Sequence, residues 1–248
     1  MKTRYVRCWL GGKERMNLGE WYCEMILHAL GQEIRYKPKG DEPCLMIIGS
    51  EFRQGYVNRI LKKQSEVLVW GVGNSWGPNH AVKAKKYPRV KFFGLRGPKT
   101  AEECELKKPV PLCDPGFLLS KLHNLPQNPS GEILYIPHWS ERAHRVPGTI
   151  FCDVLGEREY AYKLLARIVN AEFVLTSAMH VMIACLSYGV PCAVHLPPNT
   201  IRNKPLKWAD VFETIPPSVQ TVQEGKDWYK TFDFQIPDTS AMLKVFPL

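Results

Sequence analysis

The chain has 248 residues, 45% hydrophobic and 23% charged, with 33 Lys and Arg against 24 Asp and Glu. That length and composition supply one large core or two small ones. The net charge of +9 suits an anionic ligand or surface, but the basic residues are scattered, and no Arg-rich arm or long basic run points to nucleic acid.

Eight cysteines are spread without a CxxC pair, and Cys152, Cys185 and Cys192 fall in apolar stretches. Buried free thiols in a reducing compartment fit this better than zinc or a disulfide framework. No run of 18 apolar residues occurs, and the opening MKTRYVRCWL is too short and polar for a secretory signal. The expectation is a soluble cytoplasmic protein.

In chain order, residues 4–10 read as a strand and 18–30 as an amphipathic helix ending at Gly31. A short buried strand follows at 44–48, a helix at 51–63 and a strand at 66–72, which leads into a turn rich in glycine at Gly71, Gly73 and Gly77. Residues 90–95 form another strand, and Arg96-Gly97 precede a helix that starts at Pro98, where a missing N–H costs nothing. The stretch from 122 to 131 (LHNLPQNPSG) lacks periodicity and reads as a linker. The pattern then restarts with strands at 132–136 and 149–155. A helix at 157–170 turns Tyr160, Leu164, Leu165 and Ile168 inward. A strand at 172–176, a helix from Ser177 to Gly189 and a strand at 192–196 follow, then helices at 206–213 and 224–233.

Strands alternating with helices argue for parallel sheets covered on both faces. Two such blocks predict two Rossmann-like α/β domains facing a cleft, residues 1–125 and 126–248, with room for the last helix to pack back on the first domain. Ligands bind beyond the carboxyl ends of such strands, so the residues just after each strand are the candidates for function.

The densest of these positions is EFVLTSAMHVMIACLSYGVP, residues 172–191. Ser177 is placed to cap the helix, and the N–H groups of Ser177, Ala178 and Met179 with the helix dipole favour an anion there. His180 sits beside them and belongs to the residue type that titrates nearest neutral pH. Capping alone also explains such a serine, and a histidine in a first turn is often structural. Arg96 ends a strand and precedes a helix, where a guanidinium can grip an oxyanion with two parallel hydrogen bonds; a surface charge on a sheet edge is the other reading. Gly71 and Gly73 permit close approach of a ligand or of the second domain. His138 follows a proline at a strand end beside Trp139, so it serves either as a ligand or as a loop residue. Asp114 before Pro115 reads as a carboxylate for substrate or as a turn-former.

In order, Asn17-Leu18-Gly19-Glu20, Trp70-Gly71-Val72-Gly73, Arg96-Gly97-Pro98-Lys99-Thr100, Cys113-Asp114-Pro115, Ile136-Pro137-His138 and Thr176-Ser177-Ala178-Met179-His180 resemble the motifs of the polysaccharide pyruvyl transferase family, its exopolysaccharide branch above all. The likeness extends from about residue 17 to 195. It implies a GT-B-like fold, no metal or cofactor, and transfer of the enolpyruvyl carbons of phosphoenolpyruvate onto two hydroxyls of one sugar. The product would be a pyruvate ketal, with release of phosphate. The implied donor ligands are Arg96, Gly71, Gly73 and Ser177 to His180. His180 would be the acid, Glu20 the base and His138 a carboxylate ligand or proton relay. Asn17, Glu20, Asp114, Trp76 and Trp139 would meet the acceptor, a glycan or lipid-linked oligosaccharide, at or near the inner face of the membrane. The sequence departs from the family pattern at Ala178, where some members carry arginine, at Glu20 for aspartate and at Val181 for glycine. Two other functions share the expected architecture: a glycosyltransferase using a nucleotide sugar, and a non-catalytic glycan-binding protein.

Overall fold

The structure, a computed structural model, describes residues 2–7, 13–37, 39–194, 205–212, 214 and 237–247. Cys8, the end of the first strand, Gly11, residues 195–204 and the helix expected at 224–233 lie outside them. The strands are β1 (Lys2–Val6), β2 (Met16–Asn17), β3 (Gln32–Arg35), β4 (Cys44–Met46), β5 (Val67–Trp70), β6 (Val90–Gly94), β7 (Ile133–Ile136), β8 (Ile150–Phe151), β9 (Leu155–Gly156), β10 (Phe173–Thr176) and β11 (Cys192–Val194). The helices are α1 (Leu18–Ala29), α2 (Gln54–Leu61), α3 (Pro98–Cys104), α4 (Leu119–Leu122), α5 (Arg158–Val169), α6 (Met179–Tyr188), α7 (Pro205–Phe212) and α8 (Ser240–Lys244).

Two parallel sheets result, of order β3-β1-β4-β5-β6 and β11-β10-β7-β8. Mixed α/β architecture with parallel sheets is therefore what the alternating pattern forms. The edge strand β3 escaped the sequence reading because QEIR is short and mostly polar. The strand expected at 149–155 is broken into β8 and β9, and β9 instead pairs antiparallel with β2.

Period-two alternation sorts each strand's side chains between cores. Leu68 and Trp70 of β5 point to the same apolar core as Leu134 and Ile136 of β7 and Val174 of β10. Val67 and Val69 face a second core under α2, and Tyr135, Phe173 and Leu175 a third. The inner faces of the two sheets thus share one core. α1 and α6 lie within it, buried along nearly their whole lengths. Tyr160, expected inward on α5, is 38% exposed, and Ala161 takes the buried position.

The C-terminal residues close over the first sheet. Trp70 Nε1 donates to the Met242 carbonyl at 2.8 Å, and its ring meets Phe246 edge-on at 4.9 Å. α7 lies against α3 so tightly that a Cβ on Gly97 would overlap the Asp210 backbone. Gly97 has φ −164°, which any residue adopts, so the glycine is required by space and not by backbone conformation. Gly97→Ala is expected to lower stability by about 2 kcal/mol through overpacking, read as a reduced Tm. Gly55→Ala, with open space around it, serves as the control.

Candidate active site

Three pieces converge at the carboxyl ends of β7 and β10. Thr176 is paired with Ile136 in adjacent parallel strands, so the residues that follow each strand emerge side by side. The Ser177 hydroxyl accepts the His138 N–H at 2.8 Å. Ser177 therefore does not cap α6. The helix starts two residues later, with Ala178 at the cap position and no side-chain cap, while Thr176 Oγ1 takes the Ala178 N–H at 2.9 Å. Ala178 and Met179 are buried, and the Ala178 N–H is satisfied within the protein.

His138 is fixed by its own loop. Its Nδ1 accepts from the Ser140 N–H at 3.4 Å and lies 2.8 Å from the Ser140 hydroxyl. That network assigns the proton to Nε2. Burial, with the charges of Lys207 and His180 next in weight, pushes its pKa down to about 3. His138 is a neutral hydrogen-bond donor. Glu141, three residues on, has both carboxylate oxygens buried, and burial raises its pKa against the opposing influences of the Ser177 hydroxyl and Lys207.

His180 projects from the first turn of α6 and keeps 15% of its side chain exposed. Its ring lies against the backbone of Gly19, where a Cβ would overlap Nδ1. On the other side Nε2 stands 3.5 Å from Asp114 Oδ2, an ionic approach longer than a hydrogen bond. Asp114 is fully buried, and its second oxygen accepts the Gly116 N–H at 2.9 Å. Expected at the acceptor, Asp114 instead meets the imidazole.

Arg96 is also fully buried. Nε pairs with Asp210 Oδ2 at 2.9 Å, Nη1 donates to Ser50 Oγ at 2.7 Å and the Gly49 carbonyl at 3.3 Å, and Nη2 donates to the Asn74 carbonyl at 3.1 Å. Four of the five N–H donors of a guanidinium are thereby engaged within the protein. Asp210 also accepts the Thr100 N–H at 2.9 Å and the Thr100 hydroxyl at 2.7 Å. The oxyanion place read at Arg96 holds a carboxylate of the chain itself. Gly73 is required there because a Cβ would enter the guanidinium, and Gly71, at φ 97°, makes room for the Pro115 ring.

Asn17 and Glu20 form a capping box on α1: Asn17 Oδ1 accepts the Gly19 N–H at 3.0 Å and Glu20 Oε2 the Asn17 N–H at 3.4 Å. Trp76 is 37% exposed, with Arg53 stacked 3.9 Å from its ring centre. Trp139 is partly buried against the shared core and 5.6 Å from the His138 ring. Val181 is fully buried.

The structure thus brings together His138, His180, Ser177 and Asp114 and adds Lys207 and Glu141, which sequence reasoning missed. The signal for Lys207 was the pair Lys207 and Asp210, charges one turn apart on the otherwise apolar α7 (PLKWADVF). Among the described residues no group of three or more His, Cys, Asp or Glu is placed to hold a metal ion. No described helix is long and apolar enough to cross a membrane.

A parallel α/β protein with a polar, histidine-bearing cluster beyond its strand ends is the class that fold and site define. The chain belongs to the polysaccharide pyruvyl transferase family, whose model matches residues 7–195. A crystal structure of a functionally uncharacterised protein from Klebsiella pneumoniae subsp. pneumoniae NTUH-K2044 has the same fold: TM-score 0.52 and 11% identity, over 90% of this chain and 93% of that one. No curated protein matches the chain.

The pH dependence of stability follows from His138. Its folded pKa lies below the ordinary 6.5, so the unfolded chain binds the proton first and folding stability is lost as pH falls below 6.5. One group contributes at most about 1.4 kcal/mol per pH unit. Glu141, raised on folding, acts in the opposite sense above its ordinary value of 4.5. Subtracting the urea-unfolding profile of His138→Gln from that of the native chain between pH 6.5 and 5 should leave a difference that shrinks with acid. A flat difference would mean that His138 titrates normally.

Proposed function

We propose that the protein transfers the pyruvyl group of phosphoenolpyruvate to two hydroxyls of a sugar in a polysaccharide or its carrier-linked precursor, forming a ketal and releasing phosphate. The convergence of His138, Ser177, His180 and Asp114 beyond the strand ends carries this reading, with family membership behind it. The GT-B-like two-domain arrangement belongs to the same proposal.

The reaction adds a proton to the methylene carbon of the donor. A sugar hydroxyl attacks the central carbon and loses its proton, the carbon–phosphate oxygen bond breaks, and the second hydroxyl closes the ring. Two hydroxyl protons are released, one replacing that given to the methylene and one leaving with phosphate. His180 is the acid: 15% of its side chain stays exposed, and Asp114 orients it and balances charge that develops on it. His138, neutral and with its proton on Nε2, donates a hydrogen bond to a donor oxyanion but supplies no proton. Lys207 provides the cation near His138, and the backbone at the start of α6 receives the other anionic group. Arg96 serves the donor indirectly, by seating Asp210 and with it α7. The acceptor diol meets the donor on the exposed edge of His180, with Trp139 as the nearest aromatic surface.

Purified protein incubated with phosphoenolpyruvate and a panel of β-glycosides should release phosphate only with a productive acceptor, and the product should show a ketal methyl singlet by proton NMR. Thermal stabilisation by nucleotide sugars and none by phosphoenolpyruvate would transfer the protein to the glycosyltransferases. His180→Asn is expected to lower kcat by about 100- to 10,000-fold while leaving the circular dichroism spectrum and Tm close to native. Undiminished kcat would remove His180 as the acid.

A further inference from the structure

A second cationic place lies on the far side of the first sheet, under the face covered by α2. A cavity of about 340 Å³ is lined by Arg7, Tyr56, Arg59, Lys62 and Lys63, with Tyr5 and Ile60 as its apolar wall. The volume falls at the low end of small-ligand sites. None of its lining residues is a carboxylate.

Several basic side chains on the surface have acidic partners: Lys83 with Glu105, Lys91 with Glu66, Lys163 with Glu159 and Arg167 with Glu132. Around the cavity, among the described residues, no ion pair involves Arg7, Arg59, Lys62 or Lys63. Instead two guanidiniums are held on one ring: Arg7 lies 5.6 Å and Arg59 5.4 Å from the centre of Tyr56. Arg7 Nε also donates to the Tyr56 hydroxyl at 3.2 Å, and Arg59 Nε to the Gly55 carbonyl at 3.2 Å. Glu42, which acts on Tyr5, is committed to Arg35. Two like charges fixed on one aromatic ring, with two lysines beside them, repel one another unless an anion joins them. Local conflict of that kind marks functional sites.

We infer that this cavity binds a phosphate-bearing ligand, a diphosphate or clustered phosphate monoesters. The guanidiniums grip oxygens in pairs and the lysines complete the charge balance. The aromatic wall receives the adjoining apolar or ring portion of the ligand. The site is separate from the His138–His180 cluster and stands whether or not the donor assignment there holds.

The test is calorimetric titration of the full chain with inorganic pyrophosphate at fixed ionic strength, beside sedimentation with phosphatidylcholine vesicles with and without phosphatidylglycerol. Arg59 and Lys62 are exposed, so the double variant Arg59→Gln/Lys62→Gln keeps the fold. Lys107→Gln/Lys108→Gln removes the same charge from exposed residues outside the cavity. Pyrophosphate binding is expected to weaken about 100-fold in the first variant, as for two lost charge-assisted contacts, and to be unchanged in the second. Binding to phosphatidylglycerol vesicles alone, lost in the first variant only, would assign the phosphate to a lipid headgroup. Equal losses in both variants, no loss in either, or binding of polygalacturonate with neither phosphate probe would overturn the inference. Phosphoenolpyruvate affinity, measured on the same variants, should not change.

Discussion

The structure turns on one buried carboxylate. Asp210 neutralises Arg96 and at the same time satisfies the N–H and hydroxyl of Thr100 in the first turn of α3. A guanidinium and a helix N-terminus both demand negative charge, and in a fully buried setting neither can obtain it from water. Removing one member of such a pair typically costs about 3–5 kcal/mol, because the other is left charged and dry. The interaction spans more than a hundred residues, so it fixes α7 against the first sheet although α7 follows the second in sequence. Gly73 and Gly97 exist to let it form: one leaves room for the guanidinium and the other for the Asp210 backbone.

Around that anchor the two sheets are joined rather than merely apposed. α6 carries apolar residues on nearly every side and α1 keeps only the polar stripe of Glu20, Glu24 and His28, and each packs against elements from both halves of the chain. The contacts between halves are short and directional. Trp21 Nε1 donates to the Gly156 carbonyl at 2.9 Å, the Leu18 N–H to the Val154 carbonyl at 3.0 Å, and the Ser120 N–H to the Ser187 hydroxyl at 3.0 Å. His180 is placed by the same joint, since its ring needs the bare backbone of Gly19 from the first half and the carboxylate of Asp114 at the start of the connection to the second. The motif residues thus bind the halves together and build the candidate site in one stroke.

That double duty explains what the sequence could and could not reveal. Strand-helix alternation was legible because buried parallel strands are short apolar runs and the helices between them keep their periodicity. The strand-end rule led to His138, His180, Ser177 and Asp114, which do meet. It said nothing of partners. From sequence, Ser177 looks like a helix cap because a serine before a helical run usually is one, but the neighbouring strand presents an N–H that competes for its hydroxyl. Arg96 looks like an open oxyanion ligand because its counter-ion lies 114 residues away, and no local pattern announces so distant a pairing. Glu20 looks like a base, yet the local capping box with Asn17 claims it first. Lys207 and Glu141 went unnoticed because neither directly ends a strand.

The same anchor bears on the candidate site. Lys207 and Asp210 stand one turn apart on α7, so the buried pair at Asp210 fixes where Lys207 can go. A lysine on a loop would lose side-chain and backbone freedom on meeting an anion, and that loss would be taken from binding. Here the backbone is already held by an interaction too costly to break for a single ligand contact. Lys207 is itself only 8% exposed, so its charge acts through a medium less screening than water. Charge fixed in advance at low dielectric favours a developing anion without reorganisation. The cost of burying Arg96 with Asp210 in one half is what holds a preorganised cation beside the histidines of the other.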